Sequence, residues 1–60
     1  MMTRQNYQAI ANLITIARNN HQTPEADEAL NAITYMLSGY FGADNPQFKP
    51  ETFQLAAGVR

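Results

Sequence analysis

Sixty residues suffice for one domain, taken here as residues 1–60, and four basic side chains (Arg4, Arg18, Lys49, Arg60) against five acidic ones (Glu25, Asp27, Glu28, Asp44, Glu51) leave a formal net charge of −1. That balance lacks the clustered cations of a nucleic-acid binder and the acid surplus of a DNA mimic. There is no cysteine and His21 is the lone histidine, so neither a disulfide staple nor a zinc-ligand set is available.

A chain this short buries only about 60% of the surface its unfolded form exposes. With no staple to hand, self-association is the expected route to stability. The N-terminal stretch MMTRQNYQAIANL has no uninterrupted apolar core of a leader, and nowhere do about 18 apolar residues run together. Neither signal peptide nor membrane span is expected, and the cytoplasm is the expected compartment.

The first predicted helix covers about residues 4–19. Thr3 is its N-cap, and Tyr7, Ile10, Ala11, Leu13, Ile14 and Ala17 recur at the spacing of one helical face. Ala9 and Ile16 widen that arc beyond what a single neighbouring helix covers. Arg18 lies in the last turn, where a cation suits the helix dipole. Four residues, Asn20-His21-Gln22-Thr23, then connect to a second helix, so the two form an antiparallel hairpin.

That second helix is predicted at about 24–41. Thr23 caps it, Pro24 takes its first position, and Glu25, Asp27 and Glu28 lie in or near its first turn, where negative charge is favoured. Its apolar positions are Ala26, Ala29, Leu30, Ile33, Met36, Leu37, Tyr40 and Phe41. The polar face expected to be exposed comprises Glu25, Asp27, Glu28, Asn31, Thr34 and Ser38. Gly39 inside the helix marks a close helix approach or early fraying, and Gly42 is the expected stop. After the turn Ala43-Asp44-Asn45-Pro46, a short third helix begins at Pro50 and runs to about 57. Phe48 and Phe53 are placed as a hydrophobic staple, and Gly58 ends the helix. About eight residues cannot be helical alone, so this segment must dock on the hairpin.

The opening Met2-Thr3-Arg4-Gln5-Asn6-Tyr7-Gln8-Ala9-Ile10-Ala11 and the closing Asp44-Asn45-Pro46-Gln47-Phe48-Lys49-Pro50-Glu51-Thr52-Phe53-Gln54-Leu55-Ala56-Ala57-Gly58 resemble a group of very small proteins encoded by bacteriophages and prophages. Those proteins begin Thr-Arg/Lys-x-x-Tyr-x-x-Ile-Ala and end Asn-Pro-x-Phe-Asp-x-x-x-Phe-Leu-x-Ala-x-Gly. The resemblance covers both ends and only loosely the middle. Here Lys49 stands where the pattern has aspartate, which weakens the cap of the third helix, and Ala57 stands where several relatives have cysteine. The resemblance implies a phage accessory protein acting in host takeover, inhibition of a bacterial defence system or regulation of the phage programme. It implies no catalytic residue and no cofactor.

Among candidate chemistries, His21 beside Thr23 and Glu25 is the nearest thing to a base with a carboxylate partner, but such residues ordinarily cap and solvate a helix turn. No Gly-rich phosphate loop is present, since Gly39 and Gly42 lie at a helix C-terminal end. No cofactor and no enzymatic activity are expected. Arg4 and Arg18 with Tyr7 and Tyr35 are the candidate contacts to a partner or ligand. Tyr35 projects from the side of the second helix away from its apolar face, and Tyr7 and Tyr40 fall on apolar faces as core or interface residues.

The fold class expected is therefore all-α, a helical hairpin plus a short C-terminal helix. Its surplus apolar surface dimerises into a bundle through Ile10, Leu13, Ile14, Met36, Leu37, Tyr40 and Phe41. The alternative is a monomeric three-helix domain in which the third helix covers the remainder. Function is expected to lie in binding and modulating a host protein. The alternatives are an oligomeric module holding a small anionic ligand such as a signalling nucleotide, and a transcriptional regulator; direct nucleic-acid binding is disfavoured by the acidic second helix.

Overall fold

Both long helices begin where a threonine can accept a hydrogen bond from a free backbone amide. In the computed structural model, which describes residues 2–59, α1 spans Arg4–Asn20, α2 Pro24–Asp44 and α3 Pro50–Ala56. Thr3 and Asn6 form a reciprocal capping box: the Asn6 amide donates to Thr3 Oγ1 (3.4 Å) and the Thr3 amide donates to Asn6 Oδ1 (2.9 Å). Thr23 Oγ1 accepts from the Ala26 amide at 3.1 Å, with Pro24 at the first position of α2. Lys49, at the cap position of α3, makes no side-chain cap hydrogen bond.

The helix ends are where expectation and structure part. Helix α2 runs three residues past Phe41, and Gly42 is an interior residue rather than the stop. The stop comes from Pro46, because a residue before proline is driven out of the helical region. Asn45 accordingly adopts φ −137° and ψ 108°, and its Oδ1 accepts from the Gln47 amide at 3.0 Å. Gly39 marks no close approach, since a Cβ built there meets nothing within 4 Å. Helix α3 ends as expected at Gly58, whose φ of +90° belongs to the region only glycine enters freely. The Gly58 amide donates to the Leu55 carbonyl (3.1 Å) and the Val59 amide to the Gln54 carbonyl (3.0 Å), the two bonds of a Schellman motif.

The start of α1 meets the end of α2, where the Tyr7 and Phe41 rings lie 5.0 Å apart, and Arg18 near the other end of α1 reaches Asn31 of α2, so the hairpin is antiparallel. Helix α3 lies across one side of it. Tyr7, Phe41, Phe48 and Phe53 form a cluster at one end, with centroid separations from 4.7 to 5.6 Å. Ala11, Ile14 and Ala57 continue the core, and Met2, Ile10, Leu30, Leu37, Phe48 and Ala56 pack at its margin. Aromatic pairs of this kind contribute about 0.5–1.5 kcal/mol beyond their buried area. They fasten a seven-residue helix that has little stability of its own.

Helix α2 is rotated relative to the sequence expectation. Thr34 and Ser38, expected outside, are buried (0% and 4% exposed), while Ile33, Met36 and Tyr40 are exposed. Phe41 sets the rotation. Once it points at Tyr7, Phe48 and Phe53, the residues three and seven positions earlier are Ser38 and Thr34, and they must share its face. Their hydroxyls remain satisfied inside the helix, Thr34 Oγ1 donating to the Leu30 carbonyl (2.7 Å) and Ser38 Oγ to the Thr34 carbonyl (2.9 Å).

Candidate functional site

Two surfaces follow from this packing. Thr15 Oγ1 donates to the Ala56 carbonyl at 2.7 Å, which identifies the flank of α1 that carries α3. At 100° per residue, the opposite flank of α1 carries Ala9, Ile10, Leu13, Ile16 and Ala17 between Asn6 and Asn20 at its two ends, and that of α2 carries Leu30, Ile33, Met36, Leu37 and Tyr40. The two flanks meet as one face. Met2, Asn6, Ala9 and Ile10 line a shallow hollow together with Tyr40 and Asp44. Leu13, Met36 and Tyr40 are about two-thirds exposed (65%, 67% and 70%), and Ile16 and Ile33 about half (54% and 44%). By helical position, Asp44 at one end is the face's one charge among the described residues.

Of the residues expected in a seam between copies, Leu13, Met36 and Tyr40 stand fully on this face, and Ile10 and Leu37 are half-buried along its floor. Ile14 and Phe41 are instead core residues, 8% and 4% exposed, and have no surface to offer a second copy. Ile16 and Ile33 complete the face. Ile16 lies where the sequence expects it, on the part of the α1 arc that one neighbouring helix does not cover, whereas the rotation of α2 that brings Ile33 outward was not visible in the sequence.

The expected ligand contacts separate. Tyr7 is buried, and Arg4 lies near it at the mouth of a cleft beside α3. Arg18 is committed to the fold: Nε donates to the Ala57 carbonyl (2.6 Å), Nη2 donates to Asn31 Oδ1 (2.7 Å), and Nη1 lies 3.6 Å from Asp27 Oδ1. Tyr35 is exposed on the flank of α2 shared with Glu28, outside the apolar face. At the hairpin turn, the His21 backbone amide caps α1 on the Arg18 carbonyl and Thr23 caps α2, and no hydrogen bond or ion pair joins the His21 ring to Glu25 among the described residues. No three His, Asp or Glu residues converge on a metal-sized site among the described residues.

No protein-family model matches the chain, and neither a curated protein nor a solved structure does. No helix among the described residues is long and apolar enough to cross a membrane.

The cleft lies between the start of α1 and the 45–49 connection, and it has a volume of about 510 Å³. Tyr7, Phe48 and Phe53 form its apolar side, and Gln8, Gln47 and Thr52 supply polar groups. Lys49 also lines it, a residue the sequence marked only as a poor helix cap.

Proposed function

We propose that the protein is a helical contact protein that self-associates through the α1/α2 face and, in the phage setting implied by its two ends, engages a host protein to modulate or inhibit it. The observation that carries this reading is the continuous, nearly uncharged apolar face opposite α3. Its five most exposed side chains present on the order of 600 Å², close to the roughly 800 Å² that each partner contributes to an ordinary stable interface.

A second copy is the occupant that fits. Both helices of the hairpin contribute to the face, so a twofold axis through it stacks two hairpins into a four-helix layer with each α3 on the outside. With Leu13, Met36 and Tyr40 exposed and a single carboxylate at its end, the face offers a charged partner almost nothing to pair with. Asp44 stays at the rim, where it remains hydrated.

Light scattering across a concentration series tests the assembly. The expected mass is twice the 6.7 kDa of one chain. Met36→Glu, at a position exposed in the single chain, is expected to give a folded monomer. A wild-type mass of one chain at millimolar concentration overturns the proposal. The host contact is tested by affinity capture from a bacterial lysate with wild type and Tyr35→Ala in parallel. A specific protein held by the first and lost by the second supports it, and identical captures refute Tyr35 as the anchor.

A further inference from the structure

Arg4 and Lys49, 45 positions apart in the chain, come together around the cleft between α1 and α3. None of the five carboxylates lines it. Neither cation forms an ion pair among the described residues, whereas Arg18 does. Two of the chain's four basic side chains thus face one concavity from which every acidic side chain is absent, on a molecule of net negative charge.

Lys49 is also a poor choice for the helix it precedes. A cap residue must accept a hydrogen bond from a free amide, and an ammonium has donors only. Positions that break a local rule with no structural return are where function is expected. The walls add recognition of other kinds. Asn45 Nδ2 donates to the Tyr7 hydroxyl at 3.4 Å, and no acceptor among the described residues takes the phenol's own proton. Phe48 is half-buried, leaving part of its ring on the cleft side. The volume of about 510 Å³ falls within the ordinary range of small-molecule sites.

We propose that this cleft binds a phosphate monoester carrying a flat aromatic body, of the size of a nucleoside monophosphate. The doubly charged phosphate bridges Arg4 and Lys49, with Gln47 and Thr52 donating at its edge. The flat body lies against Phe48 beside the Tyr7 hydroxyl. Two cations match the charge of a monoester near neutral pH, and a guanidinium fork suits its oxygens better than a point charge alone.

The test uses the full chain at low salt, with adenosine monophosphate, adenosine and inorganic phosphate as probes in calorimetry and amide-resolved NMR. The nucleotide is expected to bind saturably at one site per chain, with shifts at Arg4, Tyr7, Gln47 and Lys49. Adenosine and inorganic phosphate are each expected to bind at least about tenfold more weakly. Lys49→Ser supplies a proper helix cap, so it folds at least as well, and it is expected to lose about tenfold in affinity, the worth of one charge-assisted hydrogen bond. Arg4→Gln behaves likewise. Met36→Glu, on the opposite face, leaves the affinity unchanged, which separates this site from self-association. Absence of saturable binding of the nucleotide at millimolar concentration overturns the proposal. So does equal affinity for adenosine, for inorganic phosphate, or for the nucleotide in the Lys49→Ser and Arg4→Gln variants.

Discussion

Replacing Arg18 with methionine tests the tie that joins all three helices. Methionine fills much of the same volume but has no donors, so the change isolates the guanidinium. Two short bonds are lost, to the Ala57 carbonyl at 2.6 Å and to Asn31 Oδ1 at 2.7 Å. A hydrogen bond from a charged donor contributes about 1.5–3 kcal/mol. The Ala57 residue is fully buried, so its carbonyl is left without a ready solvent partner, whereas the half-buried Asn31 rehydrates. The ion pair with Asp27 adds little, because that carboxylate is 60% exposed and the separation is 3.6 Å; such pairs are worth about 0–1 kcal/mol. The expected loss is about 3–5 kcal/mol, against a whole-domain stability of roughly 3–9 kcal/mol for a chain this short. Urea unfolding followed by far-ultraviolet circular dichroism measures it, at one fixed protein concentration because the proposed self-association would couple to stability. Arg18→Lys keeps the charge near Asp27 but loses the fork, and is expected to recover less than half of the loss. A cost for Arg18→Met below about 1 kcal/mol would place Arg18 among ordinary surface charges and refute the reasoning.

Gly58→Ala strikes the same place from the other side. Its φ is +90°, and the added Cβ would lie 2.7 Å from Arg18 Cδ and Nε, so a thermal melt should show a loss of at least about 1 kcal/mol. Combining it with Arg18→Ala, which removes both clashing atoms, should cost less than the sum of the two single changes. Gly39→Ala has open space and ordinary helical geometry, and is expected to stabilise by about 1 kcal/mol, read as a rise in Tm of roughly 4–8 °C. Phe41→Ala removes the ring that meets Tyr7, Phe48 and Phe53, and is expected to cost about 3–5 kcal/mol and leave the chain largely unfolded by circular dichroism.

What the sequence disclosed was local. Thr3, Thr23 with Pro24, Pro50 and Gly58 act on their own helix ends, and each is where capping chemistry puts it. The Phe48–Phe53 staple, with rings 5.6 Å apart, was legible for the same reason. Gly42 misled because glycine permits a helix to stop without requiring it; Pro46 four residues on does require it. The rotation of α2 was hidden, since Leu30, Leu37 and Phe41 lie on one edge of an apolar arc whose other edge is Ile33, Met36 and Tyr40. Composition alone weighs both edges equally, and the choice between them is made by where α3 docks. Arg18 was hidden likewise, because its partner carbonyl at Ala57 is 39 residues away. The cleft joins α1 to the connection before α3, and no spacing rule links Arg4 to Lys49.

The position of α3 also bears on the order in which the chain folds. Its closing bonds, Thr15 to Ala56 and Arg18 to Ala57, span 41 and 39 residues, and Val59 is buried behind them. The hairpin closes through local contacts, whereas α3 must find partners about 40 positions back in the chain, so it docks last. Until it does, both apolar sides of α1 and α2 are uncovered, the one α3 will claim and the one it never reaches. A refolding chain in that state is expected to aggregate more as its concentration rises.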